Sequence, residues 1–181
     1  MVPEAPLERD ENGLAAAGDG WFVVNAREAR WRARPERGFM LAFEGDTEFP
    51  QIGINLFVLG PGEPMSMYHW EADQEDFFVI SGEALLIVEE EERPLRQWDF
   101  VHCPPRVPHT IVGAGDGPAA ILAIGARIDS TGENWGGYPL NETARRHGAS
   151  AERETTVPAE AYARFPEPKL TTYREGLLPG G

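Results

Sequence analysis

At 181 residues, 41% apolar and 25% charged, the chain has the size and composition of one globular domain with a real core. Its formal net charge of -14, from 30 acidic against 16 basic residues, repels phosphate backbones and anionic headgroups, so neither nucleic acid nor a membrane surface is an expected partner. A single cysteine, Cys103, excludes an intrachain disulfide framework, and no apolar run approaches the roughly 20 residues of a bilayer span.

With Gly 20 and Pro 16, turns are frequent and strands should be short. The segment 1–20 mixes Pro, Glu, Asp, Gly and Ala without a sustained period and reads as a mobile arm with room for one helical turn. It lacks the basic start and apolar run of a secretory signal, which points to a cytoplasmic protein. Trp21-Phe22-Val23-Val24-Asn25 is a strand candidate, and the charged stretch from Ala26 to Arg34 stops at Pro35. Phe39 to Phe43 opens the strand-rich region, Glu44-Gly45-Asp46 turns it, and Gln51 to Leu59 is an apolar run closed by Gly60-Pro61-Gly62.

Strands are then expected over Ser66 to Glu71, Glu75 to Ile80 and Ala84 to Glu89, with a turn at Ser81-Gly82. The acidic run Glu89 to Glu92 reads as a solvated hairpin tip that discourages edge pairing. Phe100 to Cys103 and His109 to Val112 follow, separated by a proline-rich loop. Ala119 to Ala126 is apolar almost throughout, as a strand covered on both faces would be. Asp129 to Gly137 reads as a loop. Asn141 is placed to cap a short helix through Glu142 to His147, ended by Gly148, and Pro158 to Arg164 is a second helix candidate. Pro166 to Gly181 is expected to lie over the surface or stay loose. Without an internal repeat or a clear linker, the chain divides into an N-terminal arm with one strand (1–38), an antiparallel β-barrel (39–127) and a C-terminal extension with short helices (128–181).

The stretch from Gly62 to Gly113, under a third of the chain, resembles the two-motif core of the cupin superfamily. The first family motif carries a His-x-His pair, a glutamate three or four residues on and a glycine six later. Here His69 takes the first position, Glu71 stands where the second histidine would be, Glu75 follows and Gly82 closes the motif. In the second motif Pro104 and His109 match, while Trp98 and Arg106 occupy positions that the family gives to glycine, and Gly113 stands where an asparagine is frequent. The resemblance implies an all-β fold, a jelly-roll-like antiparallel barrel of the cupin type with a helical C-terminal extension, holding one metal ion at its open end.

Residue geometry supports a site independently of the family. Residues two apart on a strand share a face, so Met67, His69 and Glu71 point one way and Tyr68 and Trp70 the other. Glu75, on the face of Phe77 and Val79, can converge from the next strand, and His109 can close the group. His69, Glu71, Glu75 and His109 are thus the candidate metal ligands, with Glu71 alternatively a general base. Two imidazoles with carboxylates suit Fe, Mn, Ni or Zn, and spacing does not choose among them. A one-residue slip of register would turn His69 to solvent and remove the site. His102, alternating with Val101 and Cys103, and His147, at a helix end where a cation is favoured, read as ordinary histidines, and Cys103 as a small buried hydrophobe.

Two functions fit this reading. One is a metal-dependent enzyme acting on a small organic molecule, as an oxygenase or as an isomerase or lyase. The other is a non-catalytic cupin whose cavity holds a metal or small ligand for sensing, storage or scaffolding. A homodimer is expected, with the Trp21 to Asn25 strand of one copy covering a sheet edge of the other.

Overall fold

A computed structural model describes residues 1–129 and 134–180. Two antiparallel sheets face each other across the core. The larger runs β10 (Phe100–Cys103), β7 (Glu75–Ser81), β12 (Ala119–Ala126), β5 (Ile52–Leu59), β4 (Phe39–Ala42), β3 (Trp31–Ala33) and β14 (Lys169–Thr171); the smaller runs β11 (His109–Ala114), β8 (Glu83–Val88) and β9 (Glu91–Arg96). The sheets do not close into a continuous cylinder, so the barrel is of the jelly-roll kind. Among the described residues no helix is long and apolar enough to cross a membrane.

Alternation builds the interior. Phe57 and Leu59 of β5, Phe77 and Val79 of β7, Ile121 of β12 and Val101 of β10 point inward from the large sheet, and Ala84, Leu86, Leu95 and Ile111 meet them from the small one. The outer face of the large sheet is covered too: Leu41, Leu56, Val58 and Ala120 pack with Trp31, Tyr173, Leu177 and Leu178. This double burial explains why β12 is apolar along its length. On the outer face of the small sheet, Tyr68, Ile87 and Val112 pack with Ala144 and Ala149 around α1 (Glu142–Arg146), which begins at Asn141, whose side chain accepts the Ala144 N–H at 2.8 Å.

Several expectations are corrected. The segment 1–20 contains no helix; it forms a hairpin of β1 (Leu7–Asp10) and β2 (Gly13–Ala16), with Ala15 and Ala16 buried. Four-residue strands whose buried face is alanine carry too little hydrophobic pattern to stand out. Trp21 to Asn25 is not a strand: Trp21 makes one isolated bridge, to Glu4, and both Trp21 and Val23 are exposed. The strand of that region is instead β3, where Trp31 is fully buried and its Nε1 donates to the Ala26 carbonyl at 2.8 Å. The acidic run is a tip only at Glu89-Glu90; Glu91 and Glu92 begin β9, an edge strand that turns only Leu95 inward and carries Pro94 where an edge tolerates it. The chain near its end is tied down, with β14 paired to β3, so both extensions add strands to the large sheet. Of the expected loop from Asp129 to Gly137, residues 130–133 lie outside the described residues, and Gly136–Gly137 forms β13, paired with β6 (Trp70–Glu71). The second helix is α2 (Pro158–Ala161), shorter than expected.

Candidate metal centre

Only Trp70–Glu71 of the expected Ser66 to Glu71 strand is regular, yet the whole segment from Gly62 runs along β11. Gly62, Met65 and His69 donate to the carbonyls of Gly113, Ile111 and His109, and Pro64 bridges Val112. This irregular pairing sets His69 directly opposite His109. The side chains separate as alternation requires: Tyr68 goes to the outer face, its hydroxyl donating to the Glu89 carbonyl at 2.6 Å, and His69 goes inward. Glu75 enters from β7 beside the inward Phe77, whose ring meets His109 edge-on at 5.3 Å.

His69 is 6% exposed and His109 1%. His69 Nε2 stands 3.3 Å from Glu75 Oε2, and His109 Nε2 stands 3.2 Å from the same oxygen. Each Nδ1 lies 2.9 Å from a backbone carbonyl two residues earlier, Met67 for His69 and Val107 for His109. A carbonyl only accepts, so both Nδ1 atoms carry their protons and both Nε2 atoms are turned to the centre. Despite their closeness, Glu75 Oε2 and His109 Nε2 are buried without a hydrogen-bond partner, in contact through charge alone.

The charges lean on one another. Burial works against a charged His69, but Glu71 and Glu75 outweigh it and push its pKa up to about 10. Burial opposes charge on His109 as well, and Cys103 and Glu75 raise it to about 9. For Glu75, burial would raise the pKa, yet the two imidazoles hold the carboxylate far below its usual range. Cys103 sits opposite Glu75 on β10 and is buried in the core.

This donor set fits a metal ion. The potential ligand atoms of His69, Glu75 and His109 all lie within 4.8 Å of one another. Ligand atoms about 2.1 Å from one ion at tetrahedral or octahedral angles stand roughly 3.0 to 3.4 Å apart, and the two imidazole-to-carboxylate distances fall in that range. Glu71 stands apart from the group, its Oε1 3.6 Å from His69 Nε2 and its side chain 26% exposed. His102 pairs with Asp76 and His147 with Glu92 on the surface, away from the centre.

The centre opens into a cavity of about 580 Å³. His69, Glu71, Glu75 and Phe77 line it, and so do Arg34, Tyr138, Tyr162 and Arg127. Tyr138 lies 5.9 Å from the His69 ring. Burial and the Tyr162 hydroxyl drive its pKa upward, so it keeps its proton. Arg127 is held by Glu44 at 2.8 Å across Gly53, where a Cβ would come within 2.8 Å of the guanidinium. None of these four residues was marked by sequence pattern, because they come from the extensions and from strand ends, where no period or motif distinguishes them.

Residues 55–125 match the Cupin domain family. This stretch is a cupin domain. A sugar phosphate isomerase of the cupin superfamily from Silicibacter pomeroyi is 28% identical over 57% of this chain and 63% of its own, with a TM-score of 0.45. A protein named as a candidate sugar phosphate isomerase from Acidithiobacillus ferrooxidans is 32% identical over 44% of this chain and 52% of its own, with a TM-score of 0.41. The cupin chain thus spans less than two thirds of either relative. The polyketide cyclase RemF from Streptomyces resistomycificus shares the fold at a TM-score of 0.50, with 13% identity over 59% of this chain and 79% of its own. No curated protein matches the sequence.

The two positions where the cupin motif has glycine keep the glycine conformation. Trp98 and Arg106 adopt φ of 76° and 68°. Both turns therefore take a left-handed conformation that glycine favours, with side chains bearing the strain. Arg106 holds its loop to the site by donating its backbone N–H to the Glu71 carbonyl at 2.8 Å and stacking 5.2 Å from the Trp70 ring.

Proposed function

We propose that this cupin is a metal-dependent enzyme for a small organic molecule, of the oxygenase or the isomerase or lyase type, with His69, Glu75 and His109 holding a divalent transition ion of the Fe, Mn, Ni or Zn class. The observation that carries the reading is the pair Glu75 Oε2 and His109 Nε2, buried without hydrogen-bond partners next to His69, which with Glu75 lines a 580 Å³ cavity. Buried polar atoms without hydrogen-bond partners are costly, and an ion that displaces the imidazole proton and accepts both lone pairs removes the cost. The cavity lies within the usual size range of small-molecule sites, which favours a substrate over a purely structural metal.

The bound ion would act as a Lewis acid or as an oxygen activator. The protein supplies the rest. The carbonyls of Met67 and Val107 fix the imidazole tautomers. Glu71, partly exposed beside His69, is placed to take a proton from a substrate in the cavity, and Tyr138 is placed to donate a hydrogen bond from a hydroxyl that stays protonated. Phe57, Phe77 and Met65 line the walls and exclude water.

The reading includes a homodimer. With no strand at Trp21 to Asn25, the pairing surface is assigned to the β10 edge, where Trp98 and Phe100 are largely exposed. The test of the whole reading is elemental analysis of protein purified without chelator, followed by turnover assays on carbonyl and hydroxy compounds with and without oxygen, and light scattering for the dimer. Metal-free, inactive, monomeric protein would overturn it.

A further inference from the structure

Arg34 is 6% exposed and lines the same cavity as His69, Glu71 and Glu75. It leaves β3 at a tight turn closed by the Arg34 N–H to the Gly38 carbonyl. Its Nη1 donates to the Met65 carbonyl at 2.9 Å and its Nη2 to the Arg37 carbonyl at 2.6 Å, while its Cζ stacks 4.7 Å from the Phe57 ring centre. A guanidinium has five N–H donors. Nε has no partner at all, and among the described residues no carboxylate lies within the 4.0 Å of an ion pair. Glu63 acts on Arg34 only at longer range, and its own Oε2 accepts the Gly60 N–H.

The imbalance is reinforced by a neighbour. Arg37 is likewise buried, its Nε is without a partner, and it rests on the rings of Tyr162 and Phe165 at 4.4 and 4.9 Å rather than on an acid. Burial and Arg37 pull the Arg34 pKa down to about 9, which leaves it charged at neutral pH. In a chain with 30 acidic residues, two adjacent buried guanidiniums with no carboxylate in ion-pair contact among the described residues are an expensive arrangement for the protein by itself. Arg127, another residue of the cavity lining, shows the ordinary solution, full engagement by Glu44.

We propose that the cavity takes a small organic anion, whose carboxylate or phosphate oxygens are received by Arg34 while its other end faces His69 and Glu75. The assignment rests on the reading of the cavity as the functional site and adds the substrate class to it. Arg34 is thereby a binding residue for the anionic group, through the charge and the remaining N–H donors of its guanidinium.

The test is isothermal titration of the full chain, with and without added zinc, using inorganic phosphate, succinate and uncharged succinamide as probes. Saturable binding of phosphate or succinate, and none of succinamide, is expected; which anion binds distinguishes phosphate from carboxylate. Arg34→Gln should weaken binding about tenfold or more without changing metal content. Met40→Glu, which keeps Arg34 and sets a carboxylate on the same cavity wall, should weaken it similarly and decides the matter should Arg34→Gln not fold. No saturable anion binding by the unaltered protein, or binding unchanged in the variants, overturns the inference. Metal content in the same samples separates the two readings: Arg34-dependent binding in protein that takes up no metal sustains this one and removes the other.

Discussion

His69 and His109, forty residues apart in sequence, face each other as a hydrogen-bonded antiparallel pair, each donating its backbone N–H to the other's carbonyl at 3.1 and 2.8 Å. Their rings repeat the same local device, an Nδ1 proton given to the carbonyl two residues back. Backbone pairing sets the spacing of the two imidazoles and the carbonyls set their rotation, so both Nε2 atoms reach Glu75 without adjustment.

Replacement of either histidine by alanine should therefore lower metal affinity by several orders of magnitude. The Glu71 carboxylate pairs with His69 and stands outside the group of three, and its loss should resemble removal of a supporting group, about 10 to 100-fold. Glu71→Gln should leave metal bound while abolishing proton-transfer activity. Metal titration of the three variants checks this. Should Glu71→Ala strip the metal as His109→Ala does, Glu71 is a ligand and the base lies elsewhere.

Trp98 offers a separate test of the turn geometry. Trp98→Ala and Trp98→Gly both remove the ring that sits 5.9 Å from Phe78, but only glycine relieves the left-handed backbone. The glycine variant should be the more stable of the two by about 1 kcal/mol, measured by chemical denaturation. Equal stabilities would mean that the strain is not borne there.

Much of the barrel could be read from sequence because apolar alternation and turns recur over β4, β5, β7, β8, β10 and β12. The histidine faces followed from the two-residue period even though the segment before β6 is irregular, since its pairing with β11 preserves the alternation. Charge hid β9, whose single inward residue is Leu95. The rest of the cavity lining was not legible either. Arg34, Tyr138 and Tyr162 reach it from segments whose partners lie 30 to 100 residues away, such as the Met67 N–H donating to the Tyr162 hydroxyl at 3.1 Å. Such contacts are set by tertiary packing, and local pattern does not encode them.

Glu44 supplies a pH prediction. Burial would raise its pKa, but hydrogen bonds from Arg127 and the Phe49 N–H outweigh burial and lower it from the ordinary 4.5. A depressed folded-state pKa contributes stability above the unfolded value, lost as pH falls through the folded one. The melting temperature of the unaltered protein should exceed that of Glu44→Gln at pH 7, and the gap should shrink once pH drops below 4.5. A gap constant from neutral to strongly acidic pH would show that the charge contributes nothing.

The most direct measurement is the metal content of the protein purified without chelator, with melting temperatures recorded after chelation and after adding back Mn, Fe, Ni or Zn. Bound transition metal approaching one per chain, a lower melting temperature on chelation and recovery with at least one ion are the predicted results, all lost in His109→Ala. No bound metal, together with a melting temperature that no added ion moves, would contradict the assignment of His69, Glu75 and His109 as a metal centre.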